Sequence, residues 1–259
     1  MSEQVHRSDP RVLDRRTLER DHRRLAALLQ PGMAVLDVGC GTGAITAGIA
    51  RTVGPHGRVV GVDRDDSLLA VARQARREAG NLSFEIGDAL SLPFEDCFDI
   101  VTASRTLQWV SRPDHAIRQM TRAAKPGGHI VALDYNHYEN TWHPAPPAAF
   151  RLFYAAFLDW RTVNRWSNRM ADLLPDLFES GGLTGVRMHH DDEVAERGDP
   201  DFSAAAAIWG HVIDSIGPGI APENQIAAAR ESYRDYVGTT LQRQTLSIRT
   251  VSGRKPKPR

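Results

Sequence analysis

The chain lacks the features that mark extracellular, membrane-spanning and nucleic-acid-binding proteins. Only two of its 259 residues are cysteine, Cys40 and Cys97, which suggests neither a disulfide framework nor a zinc site. No apolar run approaches membrane-spanning length, and residues 1–7 are too polar for a signal peptide. Lys plus Arg and Asp plus Glu each number 32, so no basic field favours nucleic acid. We expect a cytoplasmic protein without membrane insertion or nucleic-acid partners.

Strands and helices are predicted to alternate between residues 31 and 134. Buried apolar runs predict the strands, and amphipathic segments with capping residues predict the helices. The predicted strands span 34–38, 58–63, 82–86, 98–102 and 129–133, and the predicted helices 44–53, 65–79 and 113–124. Such alternation implies an α/β fold with a mainly parallel sheet and helices on both faces. Ligands of such sheets bind beyond the carboxyl ends of the strands.

The run Val35–Gly43 predicts a buried strand that enters a tight, glycine-rich turn. Glycine is needed where the backbone has positive φ or lies against a ligand, so nucleotide-cofactor binding is the first hypothesis. The spacing of Gly39, Gly41 and Ala44 also satisfies the dinucleotide fingerprint, which leaves an NAD-dependent oxidoreductase as an alternative. Asp37 favours a ligand other than NAD. A carboxylate beside the NAD phosphates would be unfavourable, whereas a carboxylate beside a ligand with an ammonium group and a sulfonium is favourable.

This run resembles motif I of the class I S-adenosylmethionine-dependent methyltransferases, and further segments resemble the same family. Asp63 follows Gly43 by twenty residues, where an acid binds ribose hydroxyls in dehydrogenases and methyltransferases alike. Gly87–Ala89 resembles the segment that meets the adenine edge, and Leu68 would cover one adenine face. The Gln108–Trp109 pair belongs to a stretch that resembles motif IV. The resemblance covers residues 30 to 134 and is closest to small-molecule methyltransferases of the ubiquinone/menaquinone-biosynthesis type.

The resemblance implies a Rossmann-like seven-stranded sheet whose last strand is antiparallel, and S-adenosylmethionine as the cofactor, with S-adenosylhomocysteine as its product. The cofactor-binding residues that it implies are Asp37, Gly39, Cys40, Gly41, Gly43, Asp63, Arg64, Leu68, Gly87, Asp88, Ala89, Ser104 and Arg105. A catalytically silent protein that binds the same cofactor would keep these motifs and is a second alternative.

The alternation ends after Leu133, where a loop over 135–147 is predicted. Further helices are predicted at 170–180, 202–216 and 222–242, with strands at 185–189 and 245–251. We expect one domain over 1–259. Its predicted parts are an N-terminal helical arm (1–30), a cofactor-binding core (31–134), a substrate lid or helical insertion (135–182) and a C-terminal part that completes the sheet (183–259).

The methyl acceptor is expected to be a small molecule beneath this lid. Tyr135, Asn136, His137 and Trp142 are the candidate substrate-binding residues, and His137 is the candidate general base, although each could be an ordinary loop residue. The apolar stripe from Phe150 to Leu158 is more typical of core packing or a homodimer face than of a pocket wall. No metal is expected, because consecutive residues in the run 189–193 would point to opposite faces of a strand.

Overall fold

A computed structural model describes residues 9–76 and 79–258. Residues 1–8 of the predicted N-terminal arm, residues 77–78 of the predicted helix over 65–79, and Arg259 lie outside this part of the chain. The strands are β1 (Ala34–Val38), β2 (Arg58–Asp63), β3 (Leu82–Ile86), β4 (Phe98–Ser104), β5 (Ala124–Tyr135), β6 (Thr141–His143), β7 (Thr184–His190), β8 (Glu193–Glu196), β9 (Arg243–Leu246) and β10 (Ile248–Arg254).

Helices connect most of these strands. They are α1 (Pro10–Leu13), α2 (Leu18–Asp21), α3 (Arg23–Ala26), α4 (Ala44–Val53), α5 (Asp66–Ala75), α6 (Pro113–Ala123), α7 (Ala148–Val163), α8 (Met170–Ser180), α9 (Phe202–Ala206), α10 (Ile208–Ile216) and α11 (Glu223–Thr239).

The main sheet has seven strands in the order β3-β2-β1-β4-β5-β10-β7. The pairs among β1 to β5 are parallel, whereas β10 runs antiparallel to both β5 and β7. The predicted Rossmann-like class, the seven-stranded sheet and the antiparallel last strand are therefore confirmed.

Alternate side chains of β1 enter apolar layers on opposite faces of the sheet, as the two-residue period of a strand requires. Val35 packs in one layer with residues of α2, α3 and α4, such as Leu25 and Ile49. Leu36 belongs to the other layer, where α6 and α8 contribute residues such as Met120. Helices on both faces thus bury the sheet, and the parallel direction of β1 to β5 brings their carboxyl ends to one edge.

A third apolar layer covers that edge of the sheet. Helices α7, α9, α10 and α11 form it together with a second sheet of order β6-β9-β8. The rings of Phe150 on α7 and Tyr233 on α11 stack at 4.3 Å between centroids. We call this group of elements the cap. The Phe150–Leu158 stripe contributes to its core, because Phe150, Phe153 and Phe157 are all buried.

Within the predicted N-terminal helical arm, which we expected to form one helix over 9–30, the structure has three short helices, so the expectation of one helix was wrong. Thr17 caps α2 by accepting a hydrogen bond from the Arg20 amide, and His22 leaves helical geometry at φ −149°. The His22 ring is buried, and its Nε2 lies 3.0 Å from Thr102 Oγ1 on β4. The helix is thus interrupted at a residue whose imidazole packs against the sheet.

Candidate functional site

A cleft opens at the carboxyl ends of β1, β2, β3 and β4. Its wall contains most of the residues that the sequence predicts for the cofactor, namely Gly39, Gly41, Asp63, Arg64, Leu68, Gly87, Asp88, Ala89, Ser104 and Arg105. These residues come from four separate strand ends, and the parallel topology brings them together. The cleft also contains Leu13 and Arg16, from the N-terminal segment, which sequence reasoning did not identify.

The glycine turn allows two close approaches that a side chain would prevent. Gly39 has φ +75°, and a Cβ there would overlap Oγ1 and Cγ2 of Thr106 and lie 2.9 Å from its Cβ. Gly41 has φ +54°, and a Cβ there would lie 2.9 Å from Leu13 Cδ1, which covers the turn from α1. Packing against Thr106 therefore requires glycine at position 39, whereas at position 41 it is the positive φ that favours glycine, since the end of the Leu13 side chain can move aside.

Three of the predicted cofactor residues lie behind the turn and do not line the cleft. The Asp37 carboxylate is buried and accepts a hydrogen bond from Thr46 Oγ1 at 2.7 Å. Burial raises the pKa of Asp37 to about 6. Cys40 Sγ faces Gly61 on β2, and burial raises the pKa of this thiol. Gly43 begins α4 against the Phe84 ring, where a Cβ would lie 2.5 Å from Cζ.

The Asp63 carboxylate joins the glycine turn to the end of β2. Its Oδ2 accepts from the Gly41 amide at 2.8 Å, and its Oδ1 accepts from the Asp65 amide at 3.0 Å. Each carboxylate oxygen has a second lone pair, so both can accept further hydrogen bonds from a ligand in the cleft. The same side chain thus shapes the turn and offers acceptors to the ribose position that the sequence predicts.

Asp88 forms a tight turn at the end of β3. Its Oδ1 accepts from the Leu90 amide at 2.8 Å, and its carbonyl accepts from the Ser91 amide at 2.9 Å. The side chain is exposed on the cleft wall, which also includes the buried Leu68 on α5. An apolar side chain and an exposed carboxylate in one wall suit a flat heteroaromatic ring with a polar edge.

Arg105 lies at the end of β4 with the unusual φ of +56°. Its buried guanidinium donates to Tyr135 Oη at 3.0 Å and to the Asp21 carbonyl at 3.3 Å, and it pairs with Glu193 on β8. The side chain therefore ties the main sheet to the N-terminal segment and to the cap. It lines the cleft and also two neighbouring cavities.

One of these neighbouring cavities, beneath the cap, is lined mainly by aromatic and aliphatic side chains. We call it the inner cavity; its volume is about 110 Å³. It contains the predicted substrate residues Tyr135 and His137, and it shares Leu13, Arg16, Arg105 and Trp109 with the cleft. A small molecule in the inner cavity would therefore adjoin a ligand in the cleft.

Asn136 and Trp142, the other predicted substrate residues, do not line these cavities. The Asn136 Nδ2 donates to Asp172 Oδ2 at 2.6 Å. The Trp142 Nε1 donates to Gln244 Oε1 at 2.9 Å, and its ring packs on Tyr154 within the cap. Sequence reasoning missed Trp209 on α10, which does line the inner cavity. No local pattern identifies it, because it reaches the cavity only through the packing of the cap.

The His137 ring is held by a hydrogen-bonding contact and by stacking, in surroundings that disfavour its charged form. Its Nε2 lies 2.8 Å from Gln108 Oε1, and its ring stacks on Tyr135 at 5.2 Å between centroids. Burial lowers the pKa of His137 well below 6.5, and the nearby Arg161 guanidinium lowers it further. A neutral imidazole in this position can accept a hydrogen bond, but protonating it is unfavourable.

The acidic run after β7 is occupied by ion pairs. Asp191 Oδ1 accepts from Arg23 at 2.9 Å and from Arg24 at 3.2 Å, and Asp192 Oδ1 accepts from Arg249 at 2.8 Å. Within residues 9–76 and 79–258, no group of three or more His, Cys, Asp or Glu side chains is placed to hold a metal ion. None of the helices described is long and apolar enough to cross a bilayer.

Comparison with known proteins places these observations in a family. A family model described as a methyltransferase domain matches residues 29–171, more than half of the chain. A ubiquinone/menaquinone biosynthesis C-methyltransferase, UbiE, from Shewanella sp. (strain ANA-3) is 35% identical over 172 residues, which are 65% of this chain and 64% of that protein. The UbiE protein of Pseudomonas putida (strain GB-1) is 43% identical over 116 residues, 43% of this chain and 45% of its own length. The chain thus spans less than two thirds of the length of these relatives.

Solved structures share the fold over nearly the whole chain. The phosphoethanolamine N-methyltransferase 2 of Haemonchus contortus, in complex with phosphomonomethylethanolamine and S-adenosylhomocysteine, matches with a TM-score of 0.58 at 18% identity, over 93% of this chain and 51% of that one. The [4+2]-cyclase SpnF matches with a TM-score of 0.57 at 26% identity, over 95% of this chain and 85% of that one. At 18% identity, the match to the Haemonchus contortus enzyme shows a shared fold and no more.

Proposed function

Because the chain belongs to the methyltransferase-domain family whose model it matches over residues 29–171, we propose that it is an S-adenosylmethionine-dependent methyltransferase acting on a small molecule. The observation that carries this proposal is the junction of two cavities. The cleft at the four strand ends adjoins the inner cavity, and both share Arg105 and Trp109. A cofactor and an acceptor could therefore meet at their common wall.

The cleft fits the proposed cofactor in the chemistry of its wall. Asp63 offers lone pairs for two ribose hydroxyls, and Leu68 and the turn at Asp88 suit an adenine ring and its amino edge. Gly41, which has no side chain, lines the same cleft. When bound, the cofactor supplies a methyl group on a positively charged sulfur, which leaves as a neutral thioether.

The protein's own part in such a reaction is alignment and exclusion of water. Methyl transfer from an activated sulfur needs the acceptor in line with the methyl group, so a rigid, dry cavity contributes more than a strong acid or base. The inner cavity has buried walls that include Tyr135, His137, Phe157 and Trp209. We propose that the cap is the element that covers the acceptor there.

The same proposal covers the methyl acceptor and the oligomeric state of the protein. A small-molecule acceptor is supported by the modest size of the inner cavity, about 110 Å³. The equal numbers of basic and acidic residues, 32 each, favour an enzyme that acts without nucleic acid, and we propose that it works in the cytoplasm. A homodimer remains a proposal to test by light scattering; the Phe150–Leu158 stripe does not support it, because its phenylalanines are buried within one chain.

Calorimetric titration with S-adenosylhomocysteine and with NAD tests the proposed cofactor. We expect heat with the first and none with the second. Asp63→Asn should weaken binding by roughly 5- to 150-fold, since a charge-assisted acceptor is lost from the cleft. Asp66→Asn is the matched control, because Asp66 is an exposed acid paired with Arg73 outside the cleft. NAD binding, or equal affinities for the two variants, would contradict the assignment.

Turnover is tested separately, by release of S-adenosylhomocysteine from S-adenosylmethionine with a panel of small phenols, carboxylates and amines. Methylated product identified by mass spectrometry supports transfer. Cofactor binding with no transfer to any member would favour the cofactor-binding alternative without catalysis. Conversion of an acceptor without loss of the methyl group would instead point to chemistry of the kind named for the [4+2]-cyclase neighbour.

A further inference from the structure

The larger of the two cavities that adjoin the cleft lies between the N-terminal segment, the end of β5 and the cap. We call it the outer cavity; its volume is about 440 Å³. The three parts of its wall contribute, among others, Arg16, Tyr135 and Glu193. Arg16 and Arg105 also line both the cleft and the inner cavity. A molecule in the outer cavity would therefore adjoin ligands in the other two.

Most arginine side chains in the wall of the outer cavity are held by an acceptor of the protein itself. The pairs are Arg15 with the Ala204 carbonyl, Arg20 with Asp21, Arg23 with Asp191 and Arg105 with Glu193. Arg16 differs from them, because its side chain forms neither a hydrogen bond nor an ion pair with any residue that the structure describes. Its guanidinium therefore has five N–H donors that the protein does not use.

The groups that act most strongly on the Arg16 charge belong to the outer cavity. Burial lowers the pKa of Arg16 and the like charge of Arg105 lowers it further, whereas Tyr135, Glu193 and Asp21 oppose this. All four residues line the outer cavity, and the last three do not line the cleft. The Arg16 side chain is only half-buried, and its nitrogens keep accessible surface, since none of them is a fully buried atom without a partner. An arginine still carries its charge at neutral pH.

We propose that the methyl acceptor carries a carboxylate, and that Arg16 binds this group at the wall which the outer cavity shares with the inner cavity. This inference rests on the proposed function, since it names the chemical class of the acceptor. The planar fork of a guanidinium can donate two parallel hydrogen bonds to one carboxylate. Such a pair compensates a half-buried positive charge that the described residues leave unpaired.

The remaining wall of the outer cavity favours one negative charge on the acceptor over two. Glu193 lies in the same wall, and Asp199 and Asp201 line it as exposed acids. Their like charges would repel a phosphate dianion more than a carboxylate, although solvent screens the two exposed acids. Apolar surface for the body of a small organic acid comes from side chains that include Leu133 and Ile208.

Benzoate and benzamide are suitable probes, because they have nearly the same shape and differ in charge. We expect the wild-type protein, saturated with S-adenosylhomocysteine, to bind benzoate about tenfold more tightly than benzamide in ligand-observed NMR titrations. Arg16→Met keeps an unbranched side chain but removes the charge. In that variant the preference should fall to about onefold, through loss of benzoate affinity, while benzamide affinity is unchanged.

Arg23→Met is the matched control, because Arg23 lines the same cavity but is paired with Asp191, which keeps Arg24 as a second partner. This variant should retain the benzoate preference. Stability gives a second readout: Arg16→Met loses no partner among the described residues, so without ligand it should be at least as stable as the wild type in urea unfolding. Phenyl phosphate should bind the wild type more weakly than benzoate.

An unchanged preference in Arg16→Met, a large loss of its stability, or tighter binding of phenyl phosphate than of benzoate would each overturn the inference. So would a loss of S-adenosylhomocysteine affinity in Arg16→Met, measured by calorimetry, because Arg16 would then bind the carboxylate of the cofactor instead. The same calorimetry separates this result from the proposed function. Cofactor binding by the wild type without a benzoate preference overturns the inference alone, whereas a benzoate preference without cofactor binding overturns the proposed function and leaves carboxylate recognition supported.

Discussion

Replacing Gly39 with alanine is the most direct test of how the glycine turn is built. The residue has φ +75°, and an added Cβ would overlap the Thr106 side chain. Two separate effects should follow. A side chain at positive φ is unfavourable by about 1–2 kcal/mol, and forcing an extra methyl into a packed site is unfavourable by about 1–3 kcal/mol.

We therefore expect Gly39→Ala to lower the free energy of unfolding by roughly 2–5 kcal/mol. Gly32→Ala is the matched control, because Gly32 also has positive φ, at +85°, but an added Cβ there has nothing within 4 Å among the described residues. It should show only the backbone effect. The difference between the two variants, about 1–3 kcal/mol, measures the contact with Thr106.

Urea unfolding followed by circular dichroism gives both free energies, and the double variant Gly39→Ala/Thr106→Ala identifies the contact. That variant removes Oγ1 and Cγ2 but keeps the Cβ atom at 2.9 Å, so it should recover part of the loss. Equal stability of Gly39→Ala and Gly32→Ala would refute this reasoning. It would show that Thr106 moves aside freely and that the turn is not tightly packed.

Two further predictions concern buried charge. Burial raises the pKa of Asp37 to about 6, so the native state keeps this proton at pH values where the unfolded chain has lost it. The free energy of unfolding should therefore fall by about 3 kcal/mol as the pH rises from 4 to 6. Above pH 6 this contribution should stay level. Asp37→Asn should remove that part of the pH dependence in urea titrations at each pH, and an unchanged profile would contradict it. Arg105→Ala should lower stability by about 2–3 kcal/mol, less than for a fully buried pair because the Glu193 side chain is 35% exposed. Arg243→Ala, in an ion pair more than half exposed, should lower it by less than about 1 kcal/mol in the same assay; equal losses would argue against a special role for Arg105.

The parallel part of the sheet could be predicted because its information is local. Val35 and Leu36 belong to a continuous apolar run, and the glycines and prolines that follow such runs set their ends. The second sheet could not be predicted in this way. Its strands at Thr141–His143, Glu193–Glu196 and Arg243–Leu246 are short and come from distant parts of the chain. Their pairing is decided by the packing of the cap, which no local pattern reports.

The candidate site shows the same division between local and long-range information. The positions of Asp63 and Asp88 on the wall of the cleft could be predicted, because both residues follow the end of a parallel strand. The roles of Leu13, Arg16 and Trp209 depend on how the N-terminal segment and the cap fold over that edge of the sheet. The inner cavity thus depends on tertiary packing, which sequence motifs do not predict.

Because the glycine turn is tightly packed, its glycines are weak evidence for a bound cofactor. Gly39 and Gly43 are required by Thr106 and Phe84 within the protein, so their presence would be needed even without a ligand. The stronger support for a cofactor site is the convergence of Asp63 and Asp88, from separate strands, on one cleft. A chain that kept only the turn would preserve the fold, whereas one that kept both acids at the cleft would preserve the ligand chemistry. The two carboxylates are therefore the more informative positions at which to compare this chain with proteins of the same fold but different activity.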